Sequence, residues 1–306
     1  MKITTRKLTK VSVPTSILRL PAQGTEPAKA TVVCLHGFPD YKESFRPLMK
    51  LLATEGYDVW VPTMPGYQTN SAEAQKSYYL NDLASTIAEW IEHDLAGKDI
   101  HIIGHDWGSP IATILVAEHP NTSSVTIKSL VSLAIPPLQY LKKGLVKYPE
   151  QIIASRYIAF FQLRGVAELA IRRSKFKYLK KLWQSWSPTW NIPARSFTQL
   201  EKTFSQKNVL QASLQYYRSV FDFISKKGKN NFKQAANISI AIPCLFLSGR
   251  EDHCMSVRQF APFQYEPKHY PSGAEHHFVR GGHFCHQEAP DEVSEWCIKF
   301  WKKLED

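Results

Sequence analysis

Short apolar runs rich in β-branched residues alternate with helix-length amphipathic segments along much of this chain of 306 residues. Strands that alternate with helices predict βαβ units and a mostly parallel sheet with helices on both faces. Two N-terminal runs, Thr9–Val13 and Ser16–Leu20, predict an antiparallel edge. The other predicted strands are Ala30–Leu35, Tyr57–Pro62, Asp99–Ile103, Ile127–Ala134, Ile242–Ser248 and His276–Arg280. The predicted helices are Glu43–Glu55, Tyr78–Leu95, Pro110–Glu118 and Asp291–Lys303.

The alternation stops between residues 136 and 235. This stretch is aromatic and basic, its pattern is helical throughout, and three of its tryptophans recur at helical spacing. The strand series resumes at Ile242. We therefore predict a core formed by residues 1–135 and 236–306, into which residues 136–235 are inserted as a helical cap.

Composition excludes several classes of protein. Apolar residues make up 43% of the chain and charged residues 21%, which is typical of a globular domain rather than a disordered one. The apolar runs are too short to span a bilayer, and the N-terminus lacks a signal-peptide stretch, so we expect a cytoplasmic protein without integral membrane association. Five scattered cysteines predict no disulfide framework. The spacing of Cys285 with His283 and His286 is poor for zinc, and we predict no metal or other cofactor.

The net charge of +11 is concentrated in one region. Between Lys142 and Lys181 the sequence contains eleven Lys and Arg and two acids, Glu150 and Glu168. The simplest interpretation is a solvated helical surface, and the alternative is attraction of anionic substrates or of a membrane surface. Nucleic acid is not predicted as a partner because no recognised binding motif accompanies the charge. The sequence does not indicate whether the protein forms a homo-oligomer.

A Gly-x-Asp-x-Gly motif, Gly104–Gly108, lies between an apolar strand and a helix. Such a tight turn requires small flanking residues and lifts the central side chain above the sheet. The central residue is Asp106, and a carboxylate, which is ionised at neutral pH, can attack an electrophilic carbon without an activating base. A serine there would favour an esterase or lipase. The alternative for Asp106 is a loop aspartate that caps the following helix.

Two backbone N–H groups are predicted to form an oxyanion hole beside this carboxylate. The first belongs to Phe38, in the His-Gly-Phe-Pro loop that follows the strand Ala30–Leu35. The second belongs to Trp107, the residue after the nucleophile. Both donors would stabilise the negative oxygen that forms when water attacks an ester on Asp106. A plain turn is the alternative for the His-Gly pair.

An ester on Asp106 requires an activated water for its hydrolysis. His283 follows the last strand, and Asp252 follows the strand before it. The chain order nucleophile, acid, histidine is that of the nucleophile-elbow enzymes. We predict His283 as the general base and Asp252 as the residue that orients it. Glu251 and His286 are the competing candidates.

With these residues in place, the sequence resembles the soluble epoxide hydrolases of the α/β-hydrolase superfamily. The resemblance rests on His36–Pro39, Gly104–Gly108, Asp252, the Gly282-His283 pair and the cap. It implies an α/β-hydrolase fold, in which a mostly parallel sheet carries flanking helices and an inserted helical cap. Haloalkane and haloacetate dehalogenases share the core motifs, so the cap has to distinguish the two activities.

The resemblance also implies that two cap tyrosines donate hydrogen bonds to the epoxide oxygen. Tyr157 begins the segment Tyr157–Gln162, and Tyr217 lies in a Tyr-Tyr-Arg element. The alternative is that both tyrosines only pack the amphipathic cap helices. Arg164 stands where relatives commonly have proline, so the cap loop is expected to differ there.

The activity implied by the resemblance is hydrolysis of a small-molecule epoxide to a vicinal diol, with water as co-substrate. An alkyl ester would form on Asp106 and be cleaved by water that His283 activates. One alternative is a dehalogenase, in which the Trp107 indole N–H could contribute to a halide site. However, Phe38 replaces the asparagine that haloalkane dehalogenases often carry, and Trp107 replaces the arginine that is typical of haloacetate dehalogenases. The other alternative is a non-catalytic binding protein that retains the fold.

Overall fold

A nine-stranded sheet forms the centre of the computed structural model, which describes residues 2–24, 27–119, 121–122, 124–260 and 266–305. The described strands are β1 (Thr4–Leu8), β2 (Thr15–Leu20), β3 (Thr31–Leu35), β4 (Asp58–Pro62), β5 (Asp99–His105), β6 (Asn121–Thr122), β7 (Val125–Leu133), β8 (Cys244–Gly249) and β9 (Ala274–Val279). Their order is β1-β2-β4-β3-β5-β7-β8-β9, and β6 pairs with β7. The strands from β4 to β9 in this order are parallel, whereas β1 and β2 form an antiparallel edge. The predicted mostly parallel sheet is confirmed.

Helices connect the parallel strands, as the alternating pattern predicts. The described helices are α1 (Arg46–Thr54), α2 (Thr69–Ala74), α3 (Leu80–Leu95), α4 (Gly108–Glu118), α5 (Leu141–Lys147), α6 (Glu150–Ala154), α7 (Arg156–Gln162), α8 (Val166–Arg173), α9 (Lys177–Trp186), α10 (Ala194–Phe204), α11 (Val209–Val220), α12 (Lys226–Asn237), α13 (Cys285–Glu288) and α14 (Pro290–Glu305). Short 3-10 helices span Lys42–Phe45, Leu138–Tyr140 and Val257–Gln259. None of the described helices is both long enough and apolar enough to span a bilayer.

The predicted strand at Thr9–Val13 is wrong, because these residues form the bend between β1 and β2. Their backbone bonds go to helix α3 instead of a neighbouring strand. Ser12 N–H donates to the Glu89 carboxylate at 2.7 Å, and the Val13 carbonyl accepts from the Trp90 indole at 2.7 Å. Val13 is buried in the core from this bend, which explains why the apolar pattern resembled that of a strand.

Side chains alternate between the two faces of the sheet, as the strand period of two requires. In β3, Val33 and Leu35 pack on the face covered by α3 and α4, whereas Val32 and Cys34 pack on the face covered by α1 and α14. Both faces are therefore buried, which is the usual condition of a parallel sheet.

Between β7 and β8 the chain is helical from Leu138 to Asn237, and we refer to residues 138–237 as the helical segment. Its buried aromatic residues belong to the same core cluster as the α3 and α4 face of the sheet. The segment therefore packs on the sheet through a continuous apolar contact. It lies beside the carboxyl ends of β3 and β5, because Trp183 donates its indole N–H to the Pro39 carbonyl and Tyr217 contacts the Trp107 ring.

Candidate active site

The turn between β5 and α4 holds Asp106 in a left-handed conformation, with a φ of +48°. The two flanking glycines allow a close approach of backbone segments that any side chain would prevent. A Cβ on Gly104 would lie 2.5 Å from the Gly108 carbonyl oxygen, and a Cβ on Gly108 would lie 2.1 Å from the Leu35 carbonyl oxygen. These contacts are to backbone, which cannot move aside without disturbing the sheet. The turn therefore requires glycine at both positions, and it supports an otherwise costly backbone conformation at Asp106.

The Asp106 carboxylate lies against the loop that follows β3. Its Oδ1 atom accepts a hydrogen bond of 2.6 Å from Phe38 N–H, the first predicted oxyanion donor. A Cβ on Gly37 would come within 2.3 Å of the same oxygen, so glycine is needed for this approach. Among the described residues, no hydrogen bond joins Trp107 N–H to Asp106. The structure thus places one of the two predicted donors on the carboxylate.

The imidazole of His283 lies between two carboxylates. Its Nε2 atom is 3.3 Å from Asp106 Oδ2, and its Nδ1 atom is 2.9 Å from Asp252 Oδ2. Asp252 is fixed in turn, because its Oδ1 accepts from Cys254 N–H at 2.7 Å and from Met255 N–H at 2.8 Å. All three side chains of this Asp-His-Asp set are buried. The chain therefore brings together three predicted residues that are far apart in sequence.

The surroundings favour the protonated form of His283. Burial lowers the pKa of its imidazole, but the carboxylates of Asp252 and Asp106 outweigh this effect. The pKa of His283 therefore lies well above its ordinary value. The thiol pKa of Cys254 is itself raised by burial, so the two carboxylates carry the negative charge of the site.

The competing candidates have other partners. The Glu251 carboxylate bonds with the Thr189 hydroxyl at the surface and is not among the hydrogen-bond partners of His283. The Nε2 atom of His286 lies 3.1 Å from Ser44 Oγ and 3.4 Å from Asp40 Oδ2. Of the two acids and two histidines considered, Asp252 and His283 are the pair that lies beside Asp106.

A buried Asp-His-His cluster lies behind the imidazole of His283. Asp40, His105 and His286 offer ligand atoms within 4.8 Å of one another, the one such cluster in the described ranges. Hydrogen bonds account for the Asp40 carboxylate, since it accepts from Tyr41 N–H at 2.8 Å and from Ser44 Oγ at 3.0 Å. Burial lowers the pKa of His286 to about 4, so this imidazole is neutral at pH 7. The three side chains therefore form a buried polar network, in which the Nδ1 atoms of His105 and His286 have no hydrogen-bond partner among the described residues.

This network also fixes the main chain of His283. The Nε2 atom of His105 lies 2.9 Å from the His283 carbonyl oxygen. Glu288 holds the same loop, because its carboxylate accepts from Gly282 N–H at 2.9 Å and from Phe284 N–H at 3.1 Å. The loop after β9 is thus held on both sides of His283.

The helical segment contributes both predicted tyrosines. Tyr157 on α7 and Tyr217 on α11 are buried, with ring centroids 5.8 Å apart. Burial raises the pKa of each phenol well above its ordinary value, and the nearby charge of Asp106 raises it further. Both hydroxyls therefore remain protonated and able to donate. The Tyr157 hydroxyl lies 3.6 Å from Cys254 Sγ, whereas the Tyr217 hydroxyl, which lies near the Trp107 and Tyr157 side chains, makes no hydrogen bond of ordinary geometry among the described residues.

The buried side chain of Arg218 links the two tyrosine helices through a hydrogen bond and pairs with a third helix. Arg218 follows Tyr217 on α11, and its Nε donates to the Phe161 carbonyl on α7 at 2.9 Å. Its Nη1 pairs with Glu168 on α8 at 2.8 Å. The neighbouring Tyr216 points elsewhere, since its hydroxyl donates to the Pro65 carbonyl at 2.6 Å. Of this tyrosine pair, Tyr217 is the one whose hydroxyl is left without a partner.

A cavity of about 1030 Å³ adjoins the site. Its lining includes the buried residues Tyr157, Trp186 and Asp252, together with exposed cations such as Arg156. Asp106 does not line this cavity. Tyr157 and Asp252 are thus the predicted site residues that line this cavity.

Two neighbours of the site were not predicted from the sequence. Cys254 contacts the Tyr157 hydroxyl, and the Trp186 ring lies 5.2 Å from the His283 ring. The Trp186 carbonyl also accepts from His283 N–H at 3.3 Å. The position of Cys254 two residues after Asp252 is a signal that could have identified it. Trp186 lies in the aromatic segment without a local motif, so only its fold position reveals the contact.

Comparisons with known proteins identify the fold and the family. A family model described as alpha/beta hydrolase fold matches residues 30–290. The chain is 27% identical over 286 residues to the AB hydrolase superfamily protein YfhM of Bacillus subtilis, covering 93% of this chain and 94% of that protein. It is 28% identical over 284 residues to Epoxide hydrolase 4 of Mus musculus, covering 91% and 74%. The solved structure of epoxide hydrolase VrEH1 from Vigna radiata superposes with a TM-score of 0.76 at 22% identity, covering 98% of each chain. The predicted fold class and the resemblance to epoxide hydrolases are confirmed.

Proposed function

We propose, from the premise that this chain belongs to the α/β-hydrolase fold family, that it hydrolyses epoxides to vicinal diols through an ester on Asp106. One observation carries this function: the charge of Asp106, in a buried Asp-His-Asp set, raises the pKa of two buried phenols from the helical segment, so both phenols lie close to it. An epoxide needs a nucleophile on carbon and a proton donor on oxygen. This arrangement offers both. The named epoxide hydrolase relatives support the same activity.

The first step is ring opening by the Asp106 carboxylate. Oδ1 accepts a hydrogen bond of 2.6 Å from Phe38 N–H, whereas Oδ2 has only the longer contact of 3.3 Å with His283 Nε2, so Oδ2 is the oxygen that attacks a ring carbon. The carbon–oxygen bond of the ring breaks as the new ester bond forms. Tyr157 and Tyr217 donate to the departing oxygen, and one of them gives it a proton, which lowers the barrier for a poor leaving group.

Ester formation changes the protonation of His283. The ester is neutral, so one of the two charges that raise the histidine pKa disappears. The imidazolium then loses its proton, and the tyrosine that protonated the alkoxide regains one. The resulting neutral imidazole, held by Asp252, is the base that the second step requires.

The second step is hydrolysis of the ester. His283 takes a proton from water as the water oxygen attacks the Asp106 carbonyl carbon. Phe38 N–H lies at the oxygen that becomes negative, and Trp107 N–H is the proposed second donor. The ester bond breaks, the diol leaves as a neutral molecule, and the enzyme returns to a carboxylate beside an imidazolium.

A dehalogenase is the nearest alternative, and the residues around Asp106 favour it less. A halide site needs N–H donors that face the leaving group. The Phe38 side chain instead packs among aromatic rings, including Phe161 and Tyr217. The unpartnered Tyr217 hydroxyl suits a leaving group that remains attached as an alcohol.

Product analysis tests the proposed function. The purified protein is incubated with styrene-type and fatty-acid epoxides, and separately with chloroalkanes and haloacetates. We expect diols from at least one epoxide class and no halide release. Halide release without diol formation would establish the dehalogenase, and binding of epoxides without turnover would establish a non-catalytic protein.

A further inference from the structure

Large apolar side chains are exposed where helices α7 and α11 end. They belong to the α7–α8 loop, the outer face of α8 and the residues after α11, and we refer to them as the cap-end patch: Leu163, Val166, Leu169, Phe221 and Ile224. Their exposed fractions run from 37% for Phe221 to 90% for Ile224. Isolated exposed apolar residues need no explanation, but a contiguous group marks an interaction surface.

The cap-end patch consists of two stretches of surface that meet at Arg164. Phe221 and Ile224 line one surface cavity of about 450 Å³ together with Arg164, which separates Leu163 from the start of α8. Val166 and Leu169 are three residues apart on α8 and therefore share a face. The ion pair between Glu168 and Arg218 joins α8 to α11 beneath them.

Three exposed arginines belong to the same stretch of chain as Leu163, Val166 and Leu169. Arg164, Arg172 and Arg173 are exposed, and none of them forms an ion pair with a described residue. Of the two nearby acids, Glu168 is neutralised by an ion pair, whereas Asp222 keeps its charge. Glu168 is buried with Arg218, and Asp222 accepts hydrogen bonds from Ser225 N–H at 2.9 Å and Tyr79 Oη at 2.6 Å.

The charge of the patch reflects that of the whole helical segment. Residues 138–237 contain nineteen Lys and Arg and four Asp and Glu, whereas the entire chain has a net charge of +11. The remainder of the chain is therefore net negative. The positive charge is confined to the segment that also exposes the apolar patch.

We propose that the cap-end patch docks this protein onto the surface of an anionic phospholipid bilayer. Apolar side chains ringed by Lys and Arg are the composition of interfacial membrane anchors, since the chains enter the headgroup region and the cations attract anionic lipid. A second copy of the chain fits less well, because two strongly positive surfaces repel each other. An acidic macromolecule would meet the charge but not the exposed apolar groups.

Docking in this orientation places the bilayer next to the tyrosine helices. Tyr157 is six residues before Leu163, and Tyr217 is four residues before Phe221. At a rise of about 1.5 Å per residue, the Cα atoms of Tyr157 and Tyr217 lie roughly 9 Å and 6 Å along their helices from Leu163 and Phe221. Docking itself does not depend on the proposed reaction, so its test uses no epoxide.

Vesicle co-sedimentation of the full chain tests the proposal. Phosphatidylcholine vesicles with and without phosphatidylserine are compared at low and raised salt. We expect binding to the vesicles that contain phosphatidylserine, a decline as salt rises, and little binding to pure phosphatidylcholine. Absence of binding to anionic vesicles at low salt would overturn the proposal.

Variants locate the surface. A triple variant, Leu163→Ser, Val166→Ser and Ile224→Ser, is expected to lower the partition coefficient about ten-fold or more. A double variant, Arg164→Ala and Arg173→Ala, is expected to lower it by about five-fold for each arginine and to weaken its salt dependence. If the triple variant failed to fold, the arginine variant would carry the same test.

The control variant removes exposed leucine and lysine side chains from helices α1 and α14, outside the helical segment. It combines Leu51→Ser and Leu304→Ser, whose side chains are exposed like Phe221, and Lys50→Ala with Lys302→Ala. We expect its partition coefficient to equal that of the wild type. An equal loss in this control, or a dimer in light scattering that only the triple variant dissociates, would contradict membrane docking.

Discussion

The two halves of the candidate site are held in different ways. In the half built on the sheet, Asp106 is fixed by backbone sterics, and His283 and Asp252 are fixed by hydrogen bonds of ordinary length. In the half built on the helical segment, Tyr157 and Tyr217 are held by aromatic packing. The Tyr157 hydroxyl has one weak contact, with the Cys254 sulfur. The Tyr217 hydroxyl has no hydrogen-bond partner of ordinary geometry among the described residues.

This difference corresponds to the tasks of the two halves. A nucleophile and its base require fixed distances, and directional bonds provide them. A hydroxyl that must bind substrate has to remain free of competing protein partners, and ring packing positions it without occupying it. Leaving a buried hydroxyl unpaired costs about 1–3 kcal/mol, which a substrate oxygen would recover.

Removing the charge of Asp106 should have the largest effect. The substitution Asp106→Asn leaves the shape of the turn but removes the nucleophile, so we expect turnover of an accepted epoxide to fall by about four orders of magnitude. Steady-state diol formation measures this loss. The matched control is Asp99→Asn, at the exposed start of the same strand, which should retain full activity. Comparable activity in the Asp106→Asn and Asp99→Asn variants would show that Asp106 is not the nucleophile, and the assignment of the chemistry to the sheet half would be wrong.

The two adjacent tyrosines allow a sharper test of the helical half. Tyr217→Phe removes an unpartnered hydroxyl, and we expect the rate of ester formation to fall about 100-fold. Tyr216→Phe removes the donor to Pro65 instead, so it should cost about 1 kcal/mol of unfolding free energy and leave that rate nearly unchanged. Single-turnover kinetics and thermal unfolding separate the two effects. Equal rate losses would show that packing, and not the hydroxyl, is what matters.

The pH dependence should differ between the two steps. Ester formation removes the Asp106 charge that helps to raise the pKa of His283, so the base of the second step titrates at a lower pH than in the free enzyme. Its neutral form is required, so the hydrolysis rate should rise about ten-fold per pH unit below that pKa and then level off. Stopped-flow tryptophan fluorescence resolves the two steps. A hydrolysis rate that falls as pH rises would contradict the assigned role of His283.

The sheet half could be predicted because its geometry follows from local sequence. Gly104 and Gly108 flank Asp106 at fixed spacing, and the strand before them is continuous and apolar. Asp252 and His283 follow strands whose carboxyl ends meet at one edge of a parallel sheet. The strand predicted at Thr9–Val13 failed where burial came from a bend that bonds to a helix.

The contacts behind and above the site could not be predicted in the same way. Asp40, His105 and His286 meet from three separate elements, and no motif links them. The helical segment packs by ring contacts whose partners depend on the angles between helices. The resemblance supplied Tyr157 and Tyr217, but neither Trp186 nor the orientation of Arg218 followed from it.

A single turnover in isotopically labelled water tests the covalent role of Asp106 most directly. With enzyme in excess over epoxide, the oxygen added to the diol should come from the Asp106 carboxylate. The first-turnover diol should therefore carry no label, and mass spectrometry of the peptide containing Asp106 should find the label there. Label in the first-turnover diol, with none in that peptide, would show that water attacks the epoxide directly and would contradict the ester.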